Sequence, residues 1–396
     1  MSQVTATRRE SPEDLASGLV GLLRSHAAEV DREARFPAES VKALRESGLW
    51  GLTVPTEYGG PGGSLTELTG VAQILASGCL STAMIWAMHT QQVDSLVRYA
   101  SPSLTERVLP RIAAGEILLA SVTTEAASGG KLTTAGAALV DGEDCLRLHR
   151  TAPIVTGGRH ADGFLITMRD SADAADNRVT MVYADRVQLE CDSADGAWDP
   201  LGMRGTHSAG MELRGDLPPD QVIGERGAFR TVAVESQIPL AHLAWSACWL
   251  GAARSAYADV IGLLRSRKRP SSLDPASDLV AERLARIRID LELVSGYLAR
   301  VTDEITACRA EGRSVDNPAT QIHLNVLKVA AAELTFRAVD GLVRLSGLAT
   351  GYLRTSAIPL ERHFRDLRSA SLNFSDDRLL KATGGLAVLD RSVRLA

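Results

Sequence analysis

The hydrophobic pattern changes its period twice along the 396-residue chain, and this constrains the fold more than any other feature. Apolar residues recur at helical spacing from residue 12 to about 119 and again from 229 onward, whereas 120–228 holds short β-like runs separated by Gly, Asp and Pro. This order excludes alternating βαβ architectures. The sequence predicts a mostly helical α+β protein with an N-terminal helical domain (1–119), a small central β-sandwich or barrel domain (120–228) and a C-terminal four-helix bundle (229–396).

Charge and composition exclude several classes of protein. The formal net charge of −5 and the pI near 6.0 argue against a nucleic-acid-binding protein, which would present a basic face. The five cysteines are scattered and form no CxxC pair, which favours free thiols in a reducing compartment over disulfides or a metal site. The longest apolar stretch, 238–253, is interrupted by Pro239 and His242, so it predicts a buried helix rather than a membrane span. We therefore expect a cytoplasmic protein that contacts no membrane.

Several motifs occur in a characteristic order. Residues 109–130 read "LPRIAAGEILLASVTTEAASGG", "APIVTGGRHADGFLITMR" follows at 152–169, "LGMRGTHSAGMEL" at 201–213, and "PLERHFRDLR" at 359–368. Together with the order of the zones, they resemble the acyl-CoA dehydrogenase superfamily over nearly the whole chain. The Gly-Met-Arg-Gly-Thr match is the most specific of them, and the family includes flavin-dependent monooxygenases built on the same fold. The resemblance implies a flavin-dependent oxidoreductase that uses FAD.

The resemblance also implies which residues hold the flavin ring. A flavin needs a slot with apolar faces and hydrogen-bonding groups along one edge. Thr124, of the Thr-Glu turn, and Thr156 stand where the family places hydroxyls at that edge. The plainer interpretation of both hydroxyls is local capping of strand ends. Ile154 stands where the family often has a Trp, so an aliphatic side chain would cover the ring.

The groups implied for the rest of the cofactor depart from the family pattern. The phosphate turn ends in Gly130 and Lys131 instead of Gly-Ser-Asp, so a backbone nest would have to bind the pyrophosphate. Arg267 is the candidate for phosphates of a neighbouring subunit's dinucleotide, because guanidinium binds phosphate bidentately. Arg344 and Gly347 stand nearest to the family's adenine site. Bound FMN, or reduced flavin delivered by a reductase, therefore remains an alternative to tightly bound FAD.

A catalytic glutamate is missing from both positions at which the family carries one. Standard members use that carboxylate to remove a proton α to a thioester carbonyl. Burial raises the pKa of the carboxyl group and so makes the carboxylate a stronger base. Counting from the Arg365–Asp366 pair places Phe374 at the first position, and counting back from Gly251 places Ala241 at the second. Neither residue is an acid.

Four residues are candidate substitutes for the missing glutamate. A neutral imidazole is a competent base, so His242, next to the second position, is the first candidate, although a satisfied core histidine is the plainer interpretation. Asp376 would reach the glutamate position if the segment after Arg365–Asp366 were shifted by two residues, but it also fits the N-cap of a helix. His89 fits either the substrate cavity or an interhelical hydrogen bond. Asn373 cannot act as a base but could orient a substrate carbonyl or a flavin peroxide.

Three functions fit these observations. The first is a dehydrogenase-like flavoenzyme that transfers a hydride from an acyl thioester, carried by CoA or a carrier protein, to flavin N5. The second is a two-component monooxygenase that hydroxylates carbon, nitrogen or sulfur with reduced flavin and O2, which requires no α-proton base. The third is a silent subunit of a mixed oligomer. The resemblance further implies a flavin reductase or an electron-transfer flavoprotein as partner, and assembly as a homodimer or homotetramer.

Overall fold

The mostly helical α+β architecture predicted from the sequence is confirmed. The structure is a computed structural model that describes residues 10–125, 131–193, 198–267, 269–271, 273–391 and 393–396. The α-helices are α1 (Pro12–Glu33), α2 (Ala38–Glu46), α3 (Leu65–Gly78), α4 (Leu80–Tyr99), α5 (Pro102–Ala113), α6 (Phe229–Val232), α7 (Ile238–Arg265), α8 (Asp278–Ala310), α9 (Pro318–Gly347), α10 (Leu360–Arg368) and α11 (Asp376–Leu389). The strands are β1 (Leu119–Val122), β2 (Val140–Asp141), β3 (Leu146–Ala152), β4 (Gly163–Arg169), β5 (Val179–Asp185), β6 (Leu189–Ser193), β7 (Met211–Leu217) and β8 (Val222–Ile223).

The strands form two four-stranded sheets, ordered β1-β4-β5-β8 and β2-β3-β7-β6. Strands β1 and β4 pair in parallel, and the other pairs are antiparallel. In β3 the side chains alternate between buried and exposed, as expected for a strand with one face on a core, whereas β4 is buried along nearly its whole length. Strand β1 lies at an edge of its sheet, and this edge becomes one wall of the candidate site.

Helices α7, α8, α9 and α11 form the C-terminal bundle, with α9 in contact with the other three. Helix α7 also packs against α3 and α4 of the N-terminal zone, and it is therefore surrounded by protein. A helix in that position must be apolar on every side, which explains the long apolar stretch at 238–253. None of the described helices is both long enough and apolar enough to cross a membrane.

Some elements were not predicted from the sequence. Strands β2 and β8 have two residues each, too short to carry a period, and α10 is a nine-residue helix between two bundle helices. The chain enters α7 through α6, which begins at residue 229 as the helical spacing predicted, and then through a π-helical turn at Ala233–Gln237 that the spacing does not indicate. Pro239 is tolerated there because it occupies the first turn of α7, where its missing N–H is not needed.

Candidate active site

A cleft with a volume of about 170 Å³ lies where the two helical zones meet the β domain. Its walls are the edge of β1, the connection between β3 and β4, one face of α4, one face of α7, and the turn after α10. The cleft is lined by Ile85, Met88, Gln91, Leu118, Leu119, Ala120, Ser121, Thr123, Thr124, Leu132, Ile154, Thr156, Gln237, Ile238, Ala241, His242, Trp245, Asn373 and Phe374. It thus brings together Thr124, Thr156, His242 and Asn373, which the sequence had singled out from distant positions.

The β side of the cleft is a polar edge. Consecutive residues of β1 line it, so the strand presents the backbone edge that pairs with no other strand, as well as one face. Thr124 Oγ1 donates to the carbonyl of Ile154 at 2.9 Å, and Thr156 Oγ1 lies 3.0 Å from Ser208 Oγ. Both hydroxyls keep free lone pairs, and the side chain of Ile154 is 49% exposed in the cleft.

The helical side of the cleft comes from two helix faces. On α4, Ile85, Met88 and Gln91 follow each other every three residues, which keeps them on one face. On α7 the cleft is lined by Ile238, Ala241, His242 and Trp245, which are spaced about one helical turn apart. The indole Nε1–H of Trp245 is buried and has no hydrogen-bond partner among the described residues. A buried N–H at the wall of a cavity can donate a hydrogen bond to a ligand atom or to a water molecule.

His242 is neutral and has one accessible acceptor. Its Nδ1 lies 3.1 Å from the carbonyl oxygen of Leu324, which can only accept, so Nδ1 carries the proton. Burial and the nearby Lys328 ammonium lower the pKa of the imidazole to about 3. Its Nε2 makes no hydrogen bond within the described part of the chain and is available to the cleft.

Asn373 and Phe374 enter the cleft on a turn that follows α10. Phe374 has a left-handed backbone conformation with φ +51°, and its ring lies 5.9 Å from the ring of His242. The buried Lys328 of α9 anchors this turn. Its Nζ donates to the carbonyl of Ala370 at 2.9 Å and to Asp376 Oδ1 at 2.5 Å. Phe374 therefore stands in the site with the orientation of its turn fixed by a buried cation.

Two candidate substitutes for the glutamate lie outside the cleft. Asp376 is buried at the first position of α11 in an ion pair with Lys328, so the prediction that it is a base finds no support in its position. Burial raises the pKa of this carboxyl, and the ion pair opposes the shift. His89 stacks on Trp50, its Nε2 lies 3.2 Å from the Trp50 carbonyl, and its Nδ1 accepts from the N–H of Leu119. It links α4 to the turn that carries Trp50 and to strand β1, and burial lowers its pKa to about 3.

The acid of the Thr-Glu turn has a structural role. The carboxylate of Glu125 pairs with the buried Arg150 at 2.6 Å and accepts from the N–H groups of Gly136 and Ala137. Burial alone would raise the pKa of this carboxyl, but these hydrogen bonds and the charge of Arg150 outweigh it, so the pKa is lowered. Glu125 therefore fixes the loop that positions Thr124.

The residues predicted for the rest of the cofactor do not line this cleft. Gly130 lies outside the described residues. Arg267 is exposed, Arg344 is exposed with Asp340 3.9 Å away, and Gly347 ends α9 with φ +70°. The role implied for Arg267, binding the phosphates of a neighbouring subunit's cofactor, stays a prediction.

The cleft fits a flavin ring. It has apolar walls, a polar strand edge with two hydroxyls, and the unpartnered Trp245 donor, which are the features that an isoalloxazine requires of its pocket. Thr124, Thr156 and the edge of β1 are the groups that would meet its hydrogen-bonding side. Gln91, Gln237 and Trp245 were not predicted from the sequence. Helical spacing could have placed Gln91 on one face of α4 with Ile85 and Met88, but it could not have brought that face together with α7.

Comparison with known proteins identifies the family. The family model for the acyl-CoA dehydrogenase N-terminal domain matches residues 19–116, and that for the C-terminal domain matches 243–374, together more than half of the chain. The chain belongs to the acyl-CoA dehydrogenase family. A probable acyl-CoA dehydrogenase of Mycobacterium leprae is 26% identical over 92% of this chain and 90% of its own length. The chain is therefore a flavin-dependent oxidoreductase, as predicted, and FAD is the cofactor of its family.

Solved structures share the fold across both branches. Butyryl-CoA dehydrogenase from Megasphaera elsdenii has a TM-score of 0.83 at 18% identity, covering 97% of this chain and all of its own. The FMN-bound form of dibenzothiophene monooxygenase from Paenibacillus sp. A11-2 has a TM-score of 0.86 at 21% identity, covering 96% of this chain and 98% of its own. The same backbone thus accommodates both dehydrogenases and monooxygenases.

Proposed function

We propose that this protein is a two-component flavin-dependent monooxygenase. The observation that supports this most directly is the chemistry of the cleft. Within the described residues no Asp or Glu lines it, and its titratable lining side chain is His242. The positions that would hold the family's glutamate carry Phe374 and Ala241, and both face the same cavity.

Removal of an α-proton from a thioester requires a base whose pKa lies near the working pH. His242 has a pKa of about 3, because burial and Lys328 disfavour its charged form, so it accepts a proton poorly. Asn373 has no basic group. Oxygenation has no such requirement, and a neutral, largely apolar wall suits it because water is excluded from the reacting atoms.

The residues of this chain have three roles in the proposed reaction. Thr124, Thr156 and the edge of β1 would hold and orient the flavin ring, and Ile154 would pack against it. When bound in reduced form, the flavin supplies two electrons to O2, so that one oxygen atom enters the substrate and the other leaves as water. Phe374 and the apolar face of α4 exclude bulk water, and Asn373 offers an amide that can orient the substrate. The reduced flavin, FMN or FAD, would come from a separate reductase that uses a nicotinamide.

Spectroscopy and oxygen dependence test the proposal. The purified protein would be supplied with FMN or FAD, an NADH-dependent flavin reductase and a panel of aromatic substrates, with and without O2. We expect a product heavier by one oxygen atom, labelled from ¹⁸O2, only when the reductase and O2 are both present. A protein that retains tightly bound yellow flavin, and whose absorbance near 450 nm is bleached by an acyl thioester without O2, would refute oxygenation.

Dehydrogenation of an acyl thioester is the second candidate. The names and extent of the relatives favour it, since a short-chain acyl-CoA dehydrogenase of Clostridium acetobutylicum is 24% identical over 86% of this chain and 87% of its own length. A Phe374→Glu variant tests whether the missing carboxylate alone prevents dehydrogenation, because it places an acid at the position where the family carries its glutamate. If this is a dehydrogenase scaffold that lost its base, the variant gains bleaching by acyl thioesters, whereas the neighbouring Ser375→Glu variant does not.

A further inference from the structure

We propose that a second cleft, formed by α1, the end of α3, α7 and the start of α10, binds the phosphate group of a phosphate monoester through Arg24, Arg354, Arg362 and His363. This phosphate cleft has a volume of about 530 Å³, which is within the range of small-molecule pockets. Among the described residues it shares no lining side chain with the candidate active site. The proposal goes beyond the monooxygenase function and does not depend on it.

Two arginines of the phosphate cleft have no protein partner. Arg354 precedes α10 and Arg362 lies in its first turn, and within the described residues neither forms an ion pair or a hydrogen bond. The neighbouring acids are already bound elsewhere, because Asp31 and Glu361 pair with Arg365 at 2.6 and 2.8 Å. Both guanidinium groups are therefore available to an anion from outside the chain.

Arg24 approaches the phosphate cleft from α1 and is fixed in position. Its Nη2 donates to the carbonyl of Ser77 and to the hydroxyl of Ser255, each at 3.2 Å, so it is held against α3 and α7. Its positive charge and that of Arg362 both act on the imidazole of His363, which shows that the two guanidinium groups lie near the same ring. A guanidinium that is already oriented loses less freedom when it binds an anion.

His363 adds a buried polar group to the same wall. The residue is 6% exposed, its Nδ1 is fully buried, and neither ring nitrogen has a hydrogen-bond partner in the part of the chain that the structure describes. Burial first, and then the charges of Arg362 and Arg24, lower the pKa of the imidazole to about 3, so the ring is neutral and carries one N–H. A ligand oxygen or a water molecule in the cleft would satisfy it, and the adjacent cations favour an anionic oxygen.

The charges of the phosphate cleft select the class of ligand. Against the three arginines stands Asp259, a lining carboxylate that forms no ion pair with the described residues. Burial raises the pKa of its carboxyl, and the charge of Arg24 opposes the shift. A phosphate monoester carries nearly two charges and three terminal oxygens, so it can bind several guanidinium groups at once, whereas a carboxylate offers two oxygens. Free phosphate shares this chemistry.

Calorimetric titration of the full-length protein tests the proposal, with inorganic phosphate, ribose 5-phosphate, ribose and acetate as probes at pH 8 and constant ionic strength. We expect each phosphate to bind one site per chain, at least tenfold more tightly than acetate or ribose. Arg362→Gln should weaken phosphate binding by fivefold or more, because it removes a charged hydrogen-bond donor. Arg147→Gln is the matched control: it removes the same charge from an exposed arginine of β3 that pairs with Asp216, and it should change the affinity by less than twofold. Asp259→Asn should tighten binding by threefold or more, because it removes a repelling charge.

The two phosphates identify the source of the ligand. Tighter binding of ribose 5-phosphate would indicate an organic monoester and equal affinities would indicate the free ion, and either result supports the site. Absence of saturable binding at millimolar phosphate, or equal binding of acetate, would overturn it. Weaker binding in Asp259→Asn would also overturn it, since a ligand that needs this acid carries a positive group.

Flavin affinity separates the phosphate cleft from the candidate active site. Quenching of flavin fluorescence should give the same affinity for the Arg362→Gln variant as for the wild-type protein. A parallel loss of flavin and phosphate binding would show that Arg362 supports the cofactor site or the fold, and the separate site would be refuted. Because none of these measurements uses O2 or a reductase, the phosphate cleft can fail while the monooxygenase function stands, and the reverse.

Discussion

At the scale of single residues, Asp366 is a buried carboxyl whose pKa is raised by its surroundings. Its Oδ1 accepts the backbone N–H of Met203 at 2.6 Å, and the side chain is almost completely buried. Burial raises its pKa to about 6, although the hydrogen bond and the nearby arginines oppose the shift. The acid of the Arg-Asp motif thus holds the Gly-Met-Arg-Gly-Thr loop in place, and its charged form is disfavoured.

An Asp366→Asn variant should change how stability depends on pH. The folded-state pKa of Asp366 exceeds its unfolded value of 3.8, so its contribution to stability is full below pH 4 and is lost as the pH rises through 6. A shift of about two units corresponds to roughly 3 kcal/mol. Because Asn can accept from Met203 without ionising, we expect the variant to gain stability relative to wild type by up to that amount between pH 4 and 7. Urea unfolding at matched pH values measures this, and parallel pH curves for the two proteins would contradict it.

Gly202 in the same loop cannot carry a side chain. A Cβ there would lie 2.1 Å from the backbone carbonyl oxygen of Arg365, far inside van der Waals contact. We expect Gly202→Ala to lower the free energy of unfolding by about 1–3 kcal/mol or more, as overpacking does. Gly18 in α1 has open space around its Cβ position, so Gly18→Ala should instead stabilise the protein by up to about 1 kcal/mol. Thermal unfolding of both variants gives the comparison, and equal changes would refute the steric argument.

At the scale of elements, the turn between α10 and α11 depends on one buried cation. Lys328 of α9 bridges the carbonyl of Ala370 and the carboxylate of Asp376, which stand at the two ends of the turn, and its ammonium lies over the ring of Trp249. Burial lowers the pKa of Lys328, and the ion pair opposes this. The turn carries Phe374 in a conformation that side chains seldom adopt, so an external clamp is needed to hold it.

A double-mutant cycle tests the clamp. Lys328→Met leaves Asp376 buried without its partner, and breaking such a pair typically costs about 3–5 kcal/mol. Asp376→Asn alone leaves the ammonium buried and should also destabilise the protein. The double variant should recover at least 1 kcal/mol of the summed losses, because neither charge then remains unpaired. Strict additivity in chemical denaturation would show that the two residues act independently.

The helices and their capping residues could be predicted from the sequence, whereas contacts between residues that are distant in the sequence could not. The spacing of Ser11 and Asp14 is that of a capping box, and the structure contains both of its hydrogen bonds. Local spacing determines such a cap. By contrast, nothing near Gln91 in sequence indicates that its amide is oriented by Gln237, 146 residues away. The role of Lys328 was missed for the same reason, since a lysine inside a helical pattern predicts an exposed face.

At the scale of the whole molecule, Arg365 connects the three zones of the chain. Its guanidinium pairs with both carboxylate oxygens of Asp31 in α1, at 2.9 and 2.6 Å, and donates to the carbonyl of Leu201 in the central zone at 3.0 Å. Glu361 of its own helix completes the set at 2.8 Å. The Arg-Asp segment, which in this family precedes the catalytic glutamate, here joins the helical zones to the β domain.

Arg365→Lys should loosen this junction while leaving the bundle intact. A lysine keeps the charge but cannot form the planar bidentate pair, and hydrogen bonds to charged groups contribute about 1.5–3 kcal/mol. We therefore expect amide hydrogen exchange at the C-terminal end of α1 and in residues 201–206 to accelerate by roughly 10- to 100-fold, because local opening becomes easier by that energy.

Arg337 makes a similar two-atom contact with Asp290, at 2.8 Å through Nε and 2.5 Å through Nη2, but inside the bundle. Arg337→Lys is the matched control: it should affect α8 and α9 and leave α1 unchanged. Faster exchange confined to α10 in the Arg365 variant would mean that the arginine supports only its own helix, and the three zones would then be joined by other contacts, such as the hydrogen bond from Met203 to Asp366.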